Sequence, residues 1–192
     1  MAAVILLGVA GFVLWPVFFN RLAALSETST LQGARSINLL LYEYSVDNDG
    51  IYPSGANSTE VFQKLLDEKY ADDPQLFYLP LPGKVSPGTD KLTPENVCWD
   101  VTSVVSEKDS NFIPIVFNTG YKVNYVPDGD AVPLDASSVV MQGLTVAYKS
   151  NTAAFVKDDG LPDHIVKNVL QASFDPQGKT YQQLTPTGPL KP

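Results

Sequence analysis

The feature that most constrains this chain is its apolar beginning. Residues 1–19 read MAAVILLGVAGFVLWPVFF, and the first charged residue is Arg21. A helix needs about 20 mostly apolar residues to cross the hydrocarbon core of a bilayer, so this stretch is long enough to do so. In lipid a helix satisfies its own backbone hydrogen bonds, whereas an irregular chain does not. The sequence therefore predicts a helix that lies in a membrane or packs against another apolar surface.

Beyond Arg21 the helical pattern continues but becomes one-sided. Apolar residues recur every three or four positions over residues 20–47, which is typical of an amphipathic helix with one buried face. The recurring residues are Leu22, Leu25, Leu31, Ala34, Ile37, Leu41 and Tyr44. The turn formers Asp47 to Gly50 and then Pro53 end the pattern. Residues 1–53 are thus predicted to be one stalk helix, apolar over 1–19 and amphipathic over 20–47.

The rest of the chain is predicted to form a small head domain at 54–175 and an extended tail at 176–192. Asn57 or Ser58 is the expected N-cap of a second helix, which runs to Tyr70 and buries Val61, Phe62, Leu65, Leu66 and Tyr70. A proline-rich surface segment follows at 74–95, and Asp163 is expected to cap a short helix at 163–170.

Short runs rich in β-branched and aromatic residues between these segments predict strands. They are Val97–Val105, Ile113–Asn118, Tyr121–Val126, Val139–Gln142 with Leu144–Lys149, and Ala153–Val156. The turns at 118–120 and 149–152 predict hairpins, so the strands are expected to form an antiparallel meander. The predicted fold class is α+β, with the long helix packed on a small antiparallel sheet.

Charge and residue usage exclude several functional classes. The net charge is −8 with scattered basic residues, which is not the footprint of a nucleic-acid binder. Cys98 is the only cysteine, so an intrachain disulfide and a cysteine-based zinc site are excluded. Signatures of serine nucleophiles and of phosphate-binding loops are absent. A Cys98–His164 pair is the one arrangement that could serve a hydrolase, and we expect no enzyme.

Three pieces of the first 70 residues together resemble one family. Gly8 and Pro16 interrupt the apolar helix about two turns apart, and Tyr44 to Pro53 reads YSVDNDGIYP before the second helix. This combination resembles the N-terminal helix of type IV pilin-like proteins, most closely the pseudopilins of type II secretion systems, which carry a Y-x-x-D-N-G-x-Y-P motif at this place. Here the motif has one inserted residue. The family's leader and its first mature residues, which end in glutamate, are absent ahead of Met1.

The resemblance implies a structural subunit. Such subunits are stored in the bacterial inner membrane and then stacked by assembly machinery into a helical homo-oligomeric filament, either at the cell surface or spanning the periplasm. The apolar half-helix would form the filament core, and Gly8 and Pro16 would set its flexibility. The implied core residues are Val4, Ile5, Leu6, Leu7, Gly8, Val9, Phe12, Val13, Leu14, Trp15, Pro16, Phe18 and Phe19.

Several points stay open at this level. A signal anchor carrying a monomeric extracytoplasmic binding domain is the alternative, and a cleavable signal peptide lacks its usual basic start. Some similar pseudopilins hold Ca²⁺ in a loop of the C-terminal domain, and Asp128, Asp130 and Asp135 offer suitable oxygen ligands here. Asp158, Asp159 and Asp163 form a second acidic cluster. Asp-Gly pairs also build ordinary turns, so no cofactor is expected beyond this possible ion.

Overall fold

The computed structural model describes residues 27–103, 105–135, 143–160 and 163–190. The first helix, α1, occupies 27–47 of these residues. The filament-core prediction for Val4 to Phe19 and the predicted strand Val139–Gln142 lie outside the described residues. No helix within the described ranges combines the length and the apolar character needed to span a membrane.

Helix α1 is amphipathic, as its sequence predicts. Ala34, Ile37, Leu41 and Tyr44 are buried along one face. The helix ends where the turn formers begin, because the Gly50 N–H returns to the Ser45 carbonyl at 2.8 Å. Gly50 does this with a positive φ of 77°, a conformation that glycine adopts without steric cost.

Helix α2, Ser58–Asp67, is also confirmed, with Asn57 as its N-cap. The Asn57 side chain accepts the Glu60 N–H at 2.8 Å. Val61, Phe62, Leu65 and Leu66 are buried, as the spacing predicts. The helix ends three residues before the predicted Tyr70, because Lys69 turns into the left-handed region with φ 67°. A 3-10 turn at Pro74–Phe77 then stacks Phe77 on Phe62 at 4.6 Å.

The described residues beyond α2 form eight short strands. They are β1 (Trp99–Thr102), β2 (Pro114–Asn118), β3 (Tyr121–Val123), β4 (Ala131–Pro133), β5 (Gly143–Tyr148), β6 (Ala153–Lys157), β7 (Gln183–Thr185) and β8 (Gly188–Pro189). Six of them make one sheet in the order β6-β5-β2-β1-β7-β8, and β3 pairs with β4 in a separate two-stranded sheet. The pairs in both sheets are antiparallel.

Helix α1 packs on the six-stranded sheet, which confirms the α+β class. A Cβ built on Gly33 would lie 3.3 Å from the ring of Trp99 in β1. The Thr145 hydroxyl of β5 donates to Thr30 at 3.1 Å, and Asn38 donates its amide N–H to the Tyr148 carbonyl at 3.0 Å. Part of the core therefore lies between the buried face of α1 and the sheet, whose central strands β1 and β2 are buried along their whole length.

The predicted meander is wrong in one respect. The turn at 149–152 does join β5 and β6, but the turn at 118–120 does not make a hairpin of β2 and β3. Strand β2 pairs with β1 on one edge and with β5 on the other. Because both edges of β2 are occupied, β3 leaves the sheet and pairs with β4 instead.

Two further predictions fail in the C-terminal third. Residues 163–170 are not helical, since His164 and Asn168 have positive φ and Val166 forms bridges with Ala131 and Asp158. Residues 183–189 are not an extended tail but provide β7 and β8, with Leu184 buried. Both segments are held by partners distant in sequence, which local pattern does not reveal.

Candidate assembly surface

The outward face of α1 carries an apolar stripe. Leu39, Tyr42 and Val46 expose 43%, 51% and 61% of their surface. They are spaced three and four residues apart, so they lie on one side of the helix. We call these three residues the outer stripe. The structure thus divides the Leu39-Leu40-Leu41 run, because Leu41 and Tyr44 enter the core while Leu39 and Tyr42 stay outside.

The second half of the motif, which follows α1, fixes the helix to the head. The Gly50 carbonyl accepts the Glu107 N–H at 3.0 Å, and Ile51 bridges Ser106. Tyr52 is buried, and burial raises the pKa of its hydroxyl. These contacts hold the end of α1, and with it the outer stripe, in one orientation on the head.

Tyr70 supports the same helix end from the side of α2. Its hydroxyl donates to Asp47 at 3.0 Å, and its ring lies 5.3 Å from that of Tyr44. The Lys64 ammonium lies 5.0 Å from the Tyr44 ring centroid. Tyr44 and Asp47, in the last turn of α1, therefore contact Lys64 of α2 and Tyr70 just beyond it.

The loop that receives the helix end is built around a buried carboxylate. Asp109 accepts hydrogen bonds from the Lys179 ammonium at 2.6 Å and from the Ser106 N–H at 2.7 Å. Burial would raise the pKa of Asp109, but Lys179 and Ser106 hold it below its ordinary value. The Lys149 ammonium donates to the carbonyls of Glu107 and Asp109 at 2.6 and 2.8 Å. Two lysines from distant segments thus fix this loop.

A second buried carboxylate lies where the two sheets meet. The Gln183 side chain accepts the Val123 N–H at 2.9 Å and donates to the Tyr121 carbonyl at 2.6 Å and to Asp100 Oδ2 at 2.7 Å. Asp100 Oδ1 has no hydrogen-bond partner among the described residues. Burial raises the pKa of Asp100 to about 7, although Gln183 and Thr119 act in the opposite direction. No local pattern in the sequence indicates this junction, because Gln183 lies in the segment predicted to be a tail.

The structure does not assemble the predicted calcium ligands. Asp128 lies in the β3–β4 turn, and Asp135 follows β4. Asp130 instead accepts from the Lys167 ammonium at 3.2 Å and from the Asn168 N–H at 3.3 Å. In the part of the chain that the structure describes, no three His, Cys, Asp or Glu side chains are grouped to hold a metal ion.

Cys98 and His164 have different hydrogen-bond partners. Cys98 is fully buried, and its thiol exchanges hydrogen bonds with the Leu79 backbone at 3.1 and 3.2 Å. Burial raises the pKa of this thiol, which disfavours the nucleophilic thiolate. His164 Nδ1 lies 3.0 Å from Asp158 Oδ2. The contacts of these residues therefore give no support to the Cys–His hydrolase hypothesis.

Comparison of the chain with protein families, curated proteins and solved structures finds no significant match.

Proposed function

We propose that this protein is a structural subunit of a type IV pilus-like or type II secretion pseudopilus-like filament. Subunits would assemble through the apolar residues 1–19, with the acidic heads facing outward. The observation that carries the proposal is the division of α1 between two environments. One face of α1 belongs to the head's own core, and the other presents the outer stripe.

Two further features support a subunit that packs against copies of itself. The outer stripe follows the apolar segment 1–19 in the chain, and the sequence predicts one helix through both, so that helix would offer contacts along its length. The motif from Asp47 to Tyr52 joins that helix to the head through hydrogen bonds at Glu107 and Tyr70. A rigid joint would let all subunits repeat the same head orientation, which a helical assembly requires.

The alternative is a monomeric membrane-anchored binding domain. It is favoured by an open groove of about 720 Å³ next to β3, which two tyrosines line. A monomeric domain does not need an apolar stripe on the outside of α1. We therefore retain the filament as the main proposal.

Electron microscopy of material sheared from native cells, with immunogold labelling of this chain, tests the proposal. We expect regular filaments that carry the label. A chain that stays monomeric in native membranes under all growth conditions would overturn the filament and favour the binding domain.

A double variant tests the role of the outer stripe. In Leu39→Glu with Val46→Glu, we expect a folded head by circular dichroism but few or no filaments, because charges would be buried between subunits. Leu134→Glu with Val85→Glu is the matched control, since both are exposed apolar residues of the head outside α1. Normal filaments from the double variant would contradict a role of the stripe in assembly.

A further inference from the structure

The exposed side of α1 has the spacing of a helix-packing seam. Four exposed residues follow one another at steps of four, three and four positions. They are Arg35, Leu39, Tyr42 and Val46. These steps are the alternation of the d and a positions of a heptad repeat, through which one helix packs along another. We call these four residues, which are the outer stripe and Arg35, the α1 seam.

Charge is unevenly distributed along the α1 seam. Arg35 is at its N-terminal end, and the exposed side chain of Glu43 flanks its C-terminal half. Among the described residues, neither of these two side chains takes part in a salt bridge. An arginine can lay its stem on apolar residues, stack on an aromatic ring and pair with a carboxylate. The seam therefore offers two opposite charges to a neighbouring molecule.

Two α1 seams fit poorly when they meet in register. Copies that enter one membrane through residues 1–19 would have parallel helices. In a parallel pair without a shift, equivalent positions of the two seams face each other, so Arg35 would face Arg35 of the second copy. The cost of placing like charges together disfavours this arrangement.

A shift by one heptad removes this conflict. Such a shift corresponds to about 10.5 Å along a helix that rises about 1.5 Å per residue. Arg35 then enters a hole made by four residues of the next copy, as a d-position knob does in a parallel pair. They are Leu39, Tyr42, Glu43 and Val46. The guanidinium meets an aromatic ring and a carboxylate there, and Leu39 of the first copy lies beside Val46 of the next.

We propose that the α1 seam binds the α1 seam of a second copy of this chain with a shift of one heptad. The N-terminal half of one seam, Arg35 and Leu39, contacts the C-terminal half of the next, Tyr42 and Val46. Because the two halves differ and each copy is displaced along the helix axis, the contact is heterologous and repeats without closing. This inference rests on the proposed filament and specifies how neighbouring subunits are aligned in it.

Paired cysteines measure the shift directly. Cys98 is the only natural cysteine and is fully buried, so thiols introduced on α1 can be cross-linked selectively. In Leu39→Cys with Val46→Cys, mild oxidation of intact cells should give a ladder of covalent multimers on a non-reducing gel. Each single variant should stay monomeric, because a shift of about 10.5 Å keeps equivalent positions beyond the roughly 7 Å between Cα atoms that a disulfide can bridge.

The outcomes separate this inference from the proposed function. Covalent dimers from Leu39→Cys alone would indicate pairing in register and overturn the shift. Filaments of the double cysteine variant that give no ladder would overturn the seam contact and leave the filament standing. Wild-type material without filaments would instead overturn the proposed function, and the seam contact with it.

Charge reversal tests the same contact without cysteines. We expect Arg35→Glu to reduce the number of filaments at least about tenfold, because a carboxylate would enter the hole beside Glu43. Arg35→Glu with Glu43→Arg restores opposite charges and should recover the filaments. Lys157→Glu is the control, since it makes the same change of net charge at an exposed residue of β6. Normal filaments from Arg35→Glu, or no recovery in the double exchange, would contradict the pairing.

Discussion

Two interfaces of opposite character hold the elements of the head together. Helix α1 meets the sheet mainly through apolar side chains such as Ile37 and Leu41. The β3–β4 sheet meets the six-stranded sheet through the buried Gln183 amide, which binds the backbone of β3 at Val123 and Tyr121 and also donates to Asp100. Apolar packing tolerates swaps that keep the volume, whereas a buried polar contact depends on which donor and acceptor atoms are present. The first interface should therefore tolerate apolar swaps such as Ile37→Leu, and the second should not tolerate loss of the Gln183 amide.

Truncating the apolar interface should have the largest effect. We expect Ile37→Ala to lower the free energy of unfolding by about 2–5 kcal/mol, because Ile37 is fully buried and its loss leaves a cavity. Urea unfolding followed by circular dichroism measures this. Ile37→Leu should cost less than about 1.5 kcal/mol. A similar loss from Leu39→Ala, on the exposed side, would contradict the division of α1 into two faces.

Removing the amide of Gln183 should cost about 2–4 kcal/mol, even with volume preserved. Gln183→Met leaves the Val123 N–H, the Tyr121 carbonyl and Asp100 Oδ2 without this partner. Each buried polar group left unsatisfied costs about 1–3 kcal/mol, and partial relaxation offsets some of the sum. The same unfolding experiment measures it. If Gln183→Met were as mild as Ile37→Leu, the contrast between the two interfaces would fail.

The charge of Asp100 should make stability depend on pH. Its folded pKa of about 7 exceeds the ordinary value of 3.8, so the unfolded chain loses this proton at lower pH than the folded one. The stabilisation that Asp100 contributes is therefore complete below pH 3.8 and falls as the pH rises towards 7. Above about pH 7 it no longer changes with pH.

Asp100→Asn should remove this slope. We expect it to raise the free energy of unfolding by about 1–3 kcal/mol at pH 8 relative to the wild type, because no charge is then buried. Urea unfolding between pH 4 and 8 measures both chains. If the pH dependence of stability seen in the wild type over this range persists in Asp100→Asn, other groups cause it.

A local change should have the smallest effect. Asn57→Ala removes the side chain that caps α2, and we expect a loss of about 1 kcal/mol. Asn57→Ser keeps an uncharged capping oxygen and should lose less than Asn57→Ala. Thermal unfolding resolves the difference. A larger loss than that from Gln183→Met would mean that local capping outweighs the polar junction.

Local signals in the sequence determined both helices and one hairpin of the described chain. The apolar spacing of Ala34, Ile37, Leu41 and Tyr44 gave the buried face of α1, and the run from Asp47 to Gly50 gave its end. Asn57 gave the cap of α2, and the turn at 149–152 gave the β5–β6 hairpin. In each case the residues that form the element are within a few positions of one another, so pattern and turn chemistry suffice.

Only the tertiary structure decided the rest. Strand β3 left the main sheet because β5 had taken the free edge of β2, and the segment 183–189 became strands because β1 had an edge to receive it. Gln183 finds Asp100 83 positions away and Val123 60 positions away, and Lys179 finds Asp109 70 positions away. Such pairings depend on which edges and buried groups the folded chain leaves unsatisfied, and this competition between distant segments has no local signature.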